Sequence, residues 1–321
     1  MTLLLIFIAT LLLAYANGAN DNFMGVATLF GSRAASYRQA IGLATIATFA
    51  GCMASVFLAA ELVRAFSGRG LVPDAVAASP QFLLAVAIGA GSTILLATRL
   101  ALPVSTTHGL LGALVGAGAM AAGSDLNLEA LGNTFVLPLL LSPVAAVLVT
   151  AGCFRLLRRL PARRGLRTEP QQLLTLAHFS SAGVLSFARG LNDTPKIVGL
   201  MLVVQALDIR LGMLAVALAM AVGGLLNARR VAHTLSHRIA AMSDGQAFSA
   251  NLVSGLLVIA ASRFGLPVST THVCVGAISG VGLVNGSTDT RVLRGIVLSW
   301  VLTLPVAAAI AAAAWWLIRT A

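Results

Sequence analysis

Two stretches of this chain put hydroxyls, an imidazole and a proline together inside otherwise apolar surroundings. Leu102-Pro103-Val104-Ser105-Thr106-Thr107-His108 returns letter for letter as Leu266-Pro267-Val268-Ser269-Thr270-Thr271-His272. Two acidic pairs accompany them, Asn20-Asp21 and Asn192-Asp193, each preceded by Gly and one small or apolar residue. Ser and Thr hydroxyls are donors suited to an oxyanion. Carboxylates bind a hard cation or a proton. Doubled sets of both, in a chain poor in charge, point to a site that holds an anion beside a cation.

The heptamer also dictates its own local structure. Pro lacks an N–H and interrupts the preceding helix, and Ser or Thr caps a new one. Gly112-Ala113-Leu114-Val115-Gly116 and Gly276-Ala277-Ile278-Ser279-Gly280 then continue as apolar helix. The expectation is helix, break, helix, with the break deep in a hydrophobic run. In lipid such a break survives only where it is buried in protein or lines a wet cavity. A helix that begins at mid-membrane directs its positive dipole end and unpaired N–H groups at one spot, which suits an anion. Repetition makes an ordinary Pro kink the weaker reading.

The bulk composition says integral membrane protein. Of 321 residues 58% are hydrophobic and 10% charged, against about 25% charged in soluble domains, and the mean hydropathy is +0.94. The net charge of +11 comes almost wholly from Arg, clustered between apolar segments, so it reads as membrane orientation rather than nucleic-acid binding. Cys52, Cys153 and Cys274 show neither CxxC nor metal spacing. Met1 to Ala16 lacks a basic start and reads as a first membrane helix rather than a cleaved leader.

In chain order, helices are expected at about 2–17, then to Gly31, at 38–63, 81–99, 105–121 and 131–154, bent at Pro138 or Pro143. The second half repeats the series at about 171–189, 197–206, 211–227, 247–263, from the second heptamer to 283, and at 293–318. Asn17–Asn22 and Gly190–Lys196 are expected as polar interruptions. The predicted domains are a first repeat, 1–154, an Arg-rich cytoplasmic linker, 155–169, and a second repeat, 170–321. If each heptamer pair is a re-entrant hairpin with its tip near the midplane, each half crosses an odd number of times and the halves are inverted. Placing the linker inside gives inside loops of +2, +5, +2 and +1 and outside loops of 0, −2 and 0, as the positive-inside rule requires. Both termini then lie outside. The fold class is therefore an all-α, multi-pass membrane protein with inverted-topology repeats, an architecture typical of secondary transporters.

Charges left at membrane depth are Asp21, Arg99, Arg189, Asp193, Lys196 and Arg263, and such residues are functional candidates by default. Two carboxylates repel an anion unless cations intervene or the anion carries a proton. Phosphate keeps a P–OH at neutral pH and sulfate does not. The residues thus favour cation-coupled phosphate transport, with sulfate or another tetrahedral oxyanion as the alternative. A membrane enzyme using Asp21 and Asp193 lacks any nucleophile–base arrangement, so no enzyme activity is expected; an anion channel would ignore the cation gradient.

Gly18-Ala19-Asn20-Asp21, Gly190-Leu191-Asn192-Asp193 and the two Pro-Val-Ser-Thr-Thr-His copies resemble the signatures of the PiT family of inorganic phosphate transporters. The resemblance spans nearly the whole chain. It implies phosphate between the hairpin tips, held by Ser105, Thr106, Thr107, Ser269, Thr270 and Thr271. It implies Na⁺ or H⁺ at Asn20, Asp21, Asn192 and Asp193, with Asp21 and Asp193 as metal ligands if the ion is sodium. It further implies symport without a resident cofactor, rocking or elevator motion of the repeats, a homodimer, and a place in the plasma membrane (the inner membrane of a bacterium), in contact with its lipids.

The family pattern runs Asn-Asp-Val-Ala-Asn, and here Met24 and Lys196 occupy the two Asn places. Met is a poor sodium ligand. Lys196 would put a fixed ammonium where a sodium ion would sit, or touch the anion, so the expectation is loss of at least one sodium site, with coupling to H⁺ or weaker coupling. The competing expectation is that Lys196 snorkels to an interface. Arg99 and Arg263, just before the breaks, and His108 and His272, about one turn beyond them, form a second tier; packing is the favoured role for the two His. His178, His233 and His237 show no ligand-like partners in the sequence.

Overall fold

A computed structural model describes residues 2–159, 169–202, 208–236, 242–286 and 290–320. Residues 160–168 of the expected linker, with His237 and Arg238, lie outside the described residues. Among the described residues ten long helices carry the architecture, five in each half. They are α1 (Thr2–Asp21), α2 (Tyr37–Leu58), α3 (Pro80–Arg99), α4 (Thr106–Ala122) and α5 (Leu137–Arg159), then α6 (Glu169–Val198), α7 (Ile209–Asn227), α8 (Asp244–Arg263), α9 (Thr270–Asn285) and α10 (Thr290–Thr320). Seven helical segments among the described residues are long and apolar enough to cross a membrane. The chain is a multi-pass membrane protein.

The packing is two-fold. α1 lies on α3 and α7 as α6 lies on α8 and α2, while α4 packs on α10 as α9 packs on α5. Each half thus lends its second and fifth helices to the other, and the repeats interlock. Close approach decides where glycine is needed. A Cβ added at Gly18 of α1 would overlap the Met220 carbonyl of α7, and one at Gly190 of α6 would overlap the Thr48 carbonyl of α2. Small residues at such crossings are how helices gain contact area in lipid, where burial from water drives nothing.

The ends of the helices establish that the repeats are inverted. The Arg229 guanidinium sits over the Tyr37 ring at 5.8 Å, and Phe30 meets His233 edge-on at 5.7 Å. The start of α2 and the segment after α7 therefore share one end of the molecule. The segment after α7 corresponds in the repeat to the segment after α2, which 22 residues of helix carry about 33 Å away. Equivalent parts lie at opposite ends.

Both breaks form as the heptamers dictate. α3 stops at Arg99, and α4 starts at Thr106 with the Ser105 hydroxyl accepting from the His108 N–H at 3.2 Å. α8 stops at Arg263, and the Ser269 hydroxyl accepts from the His272 N–H at 3.3 Å. In the first turn Ala101 takes φ +57°, the conformation its equivalent Gly265 adopts at +67°. A Cβ is strained there. Ala101→Gly is expected to raise unfolding stability by about 0.5–1 kcal/mol, measured by thermal melting of the purified protein in detergent.

Three boundaries differ from the sequence expectation. The polar stretches are helical: α1 runs through Asp21, and α6 runs through Asn192, Asp193, Pro195 and Lys196 to Val198. The reason lies in the spacing. Asn17, Asn20 and Asp21, like Arg189, Asn192, Asp193 and Lys196, recur at i, i+3, i+4 (and i+7) and line one helix face. Membrane helices tolerate the internal Pro195. The helix expected over 38–63 breaks at Ala59, with φ −136°, before a short helix at Ala60–Ala65.

Candidate anion and cation site

The inward face of α1 meets that of α6 at the centre of the molecule, and both heptamer breaks close over them. Asn20 braces the first break. Its amide donates to the Thr98 hydroxyl at 2.9 Å and the Leu102 carbonyl at 3.0 Å, and its carbonyl accepts from the Val104 N–H at 3.1 Å. Asn192 braces the second. It donates to the Val268 carbonyl and the Thr270 hydroxyl, each at 3.2 Å, and accepts from the Ser262 hydroxyl at 3.1 Å. Thr98 and Ser262 hold the same place in the two repeats, and each hydroxyl also bonds the carbonyl one turn earlier in its own helix.

The two helix starts touch one another. The Thr107 hydroxyl donates to the Val268 carbonyl at 3.1 Å, and the Thr271 hydroxyl to the Val104 carbonyl at 3.3 Å. The Thr106 hydroxyl donates to Asp21 Oδ2 at 2.9 Å. Ser105, Thr106, Thr107, Ser269, Thr270 and Thr271 are all buried. The first N–H groups of α4 and α9 have no acceptor within their own helices, so two positive helix ends converge beside the two acids. Behind the tips the His108 and His272 rings lie 4.4 Å apart, and His272 stacks on Trp300 at 3.7 Å.

Lys196 is 0% exposed, so it does not snorkel. Its Nζ donates to the Thr107 hydroxyl and the Val268 carbonyl, both at 2.7 Å, and lies 3.4 Å from Asp193 Oδ1. A carboxylate, a hydroxyl and a backbone carbonyl form a hard-oxygen set of the kind that holds a metal cation; here an ammonium fills it.

Arg189 completes the cluster. It is 1% exposed, and its Nε lies 3.6 Å from Asp193 Oδ2. It also donates to the Asn22 side-chain oxygen and the Asn17 carbonyl, both at 3.1 Å, and to the Asn17 side-chain oxygen. The Asn17 amide in turn donates to Thr106 at 2.8 Å and Asp193 at 3.1 Å, linking the halves. The sequence expectation names Arg189 at membrane depth without assigning it to the site, and it omits Asn17. The signal was present, since each stands one turn before its Asp and the two are repeat equivalents.

The two acids differ. Asp193 meets both buried cations. Asp21 Oδ2 also accepts from the Asn17 amide at 3.5 Å, and its Oδ1 is buried with no hydrogen-bond partner among the described residues. Arg99 and Arg263 are exposed, at the ends of α3 and α8 that lead into the breaks, and their side chains lie outside the hydrogen-bonded cluster. His178 bonds Asp244 and Thr28, each at 2.9 Å, which makes it a structural tie rather than the solitary residue the sequence implies.

A sequence model of the phosphate transporter family matches twice, over residues 17–171 and 161–311. The chain belongs to the phosphate transporter family. Members include a Rhizobium meliloti protein named "Probable low-affinity inorganic phosphate transporter", 29% identical over 93% of this chain and 91% of that one. A Bacillus subtilis protein of the same name is 27% identical over 98% and 97%. Among solved structures, "The sodium-dependent phosphate transporter" superposes with a TM-score of 0.89 at 25% identity, covering 99% of both chains. All three relatives carry the names of transporters, and the PiT resemblance of the motifs agrees with the family.

Proposed function

We propose that this chain is a secondary transporter of inorganic phosphate, with the anion bound where the starts of α4 and α9 meet Lys196. The observation that carries the reading is that convergence: both Ser-Thr-Thr runs, both acids and two buried cations share one centre. Ser105, Thr106, Thr107, Ser269, Thr270 and Thr271 offer hydroxyl and N–H donors, and Lys196 offers a charge. In the closed arrangement Thr107 and Thr271 donate to carbonyls of the opposite break, so admitting phosphate exchanges those bonds for bonds to its oxygens. A phosphate P–OH is a donor to a carboxylate. Asn20 and Asn192 act chiefly by holding the breaks in shape.

The coupling ion is assigned to Asp21. Its unpartnered Oδ1 fits a cation or a proton, whereas Asp193 already faces Arg189 and Lys196. Formally the two acids and two bases cancel. With Met24 where the family pattern has Asn, few oxygens stand beside Asp21 to complete a sodium shell, and a proton needs none. The reading is therefore H⁺-coupled symport, with Na⁺ secondary.

The interlocked repeats (1–154 and 170–321, joined through 155–169) would rock about the shared centre, each break dipping in from its own side as a re-entrant hairpin. The end bearing Arg33, Arg38, Arg229 and Arg230 is taken as cytoplasmic and both termini as external, in a plasma or bacterial inner membrane, with a homodimer as the assembly. The test is radiolabelled phosphate uptake into proteoliposomes, with sodium and proton gradients imposed separately and sulfate as competitor. Uptake driven by the proton gradient, resistant to sulfate, is expected. Accumulation that follows sodium alone overturns the coupling assignment, and sulfate-sensitive flux overturns the substrate.

A further inference from the structure

The two-fold repeat should give the two halves matching surfaces beside their breaks, and at one place it does not. Next to the first break an open cleft of ≈ 920 Å³ lies between α1, α3 and α7. It is lined by Thr98, Arg99, Asn227, Arg229, Arg230 and His233. At the corresponding place beside the second break Arg263 is kept, but Phe57, Leu58 and Glu61 stand where Arg229, Arg230 and His233 stand here. Contact confirms the correspondence: a Cβ on Gly265, just after Arg263, would meet the Glu61 side chain. The basic charge is therefore not imposed by the fold.

Among the described residues no carboxylate lies within ion-pair distance of Arg99, Arg229 or Arg230. Loop orientation alone asks only for positive charge somewhere at this end; it does not ask for three guanidinium groups around one cavity. The cleft also touches the machinery. Thr98 is the residue whose hydroxyl receives the Asn20 amide, and a hydrogen bond from Asn227 to Tyr15 ties α7 to α1 at its edge. Leu12, Leu95 and Leu226 complete an apolar wall.

We propose that this cleft is a second binding site for a phosphate group, separate from the buried centre and present at one end only. Arg forks match phosphate oxygens bidentately. Two sources share that chemistry. Inorganic phosphate would collect here before entry or after release. A phosphodiester headgroup would lodge here with its chains against the leucine wall.

The experiment compares the wild type with R99Q/R229Q/R230Q and with the charge-keeping R99K/R229K/R230K. In the first arm, transport of inorganic phosphate from the cleft side is measured in oriented proteoliposomes of phosphatidylcholine alone. A free-phosphate site predicts a KM raised about 3- to 10-fold in the Gln variant, kcat retained, the gap closing at high salt, and most of the loss restored in the Lys variant. In the second arm, phosphatidylglycerol retained by the purified protein is counted by native mass spectrometry. A headgroup site predicts one lipid bound by the wild type and lost in the Gln variant, with KM unmoved. Unchanged KM together with no selective lipid retention overturns the proposal. Because lipid binding needs no transport, failure of the transport reading would leave that arm able to decide.

Discussion

Asp193→Asn is expected to abolish phosphate uptake and to destabilise the fold, whereas Asp21→Asn is expected to spare the fold and remove only gradient-driven accumulation. The difference follows from what each acid faces. Asp193 lies 3.6 Å from Arg189 and 3.4 Å from Lys196, both buried. Neutralising it leaves two cations in the interior with no carboxylate against them except the more distant Asp21. Breaking a buried pair in this way costs about 3–5 kcal/mol, visible as a lowered melting temperature and a loss of uptake approaching background.

Asp21 accepts through one oxygen, from the Thr106 hydroxyl at 2.9 Å and the Asn17 amide at 3.5 Å, and its other oxygen is unpartnered among the described residues. An Asn there still accepts the Thr106 proton but cannot take up a coupling ion. Counterflow exchange of phosphate, which needs no net ion movement, is expected to remain within about a factor of ten of wild type, since one altered bond is worth about 1.4 kcal/mol or less. Uphill accumulation is expected to vanish. Equal loss of exchange and accumulation in Asp21→Asn would remove the distinction between the two acids.

How much of this was legible beforehand depended on whether a feature was repeated in kind. The heptamers are identical, so the breaks, their Ser caps and their meeting at one centre could be read directly, as could the inversion, which the arginines mark at the helix ends. The helical path through Asp21 and Lys196 was obscured because polar residues and Pro195 look like a loop in an apolar chain; only their i, i+3, i+4 spacing betrays the helix. Arg189 and Asn17 escaped for a different reason. They are equivalent in position yet unlike in chemistry, and the two-fold makes them partners precisely because one donates where the other accepts. The exchange of α2 and α5 between halves leaves no local mark, since an apolar helix carries the same pattern whichever neighbour covers it. The basic cleft likewise depends on which helix ends come together.

Sodium is expected to stimulate phosphate uptake by Lys196→Asn about ten-fold, the equivalent of ~1.4 kcal/mol of selective stabilisation, while leaving wild-type uptake nearly unaffected. The Lys196 ammonium is held by Thr107 Oγ1, the Val268 carbonyl and Asp193 Oδ1. Removing the ammonium leaves three oxygens around a charge-sized gap, and the shorter Asn side chain adds a carbonyl oxygen near it, restoring the residue type the family pattern carries. Lys196→Gln is the control, because it removes the charge while its longer side chain fills the same space. It is expected to lose uptake with no sodium response, as Asp193 is left facing Arg189 alone and the anion loses its ammonium. Sodium dependence of melting temperature separates binding from transport: Lys196→Asn should gain stability as sodium is added at constant ionic strength, through simple linkage, and wild type should not. If sodium leaves both the uptake and the melting of Lys196→Asn unchanged, the ammonium is not standing in for a metal ion, and Lys196 serves the anion alone.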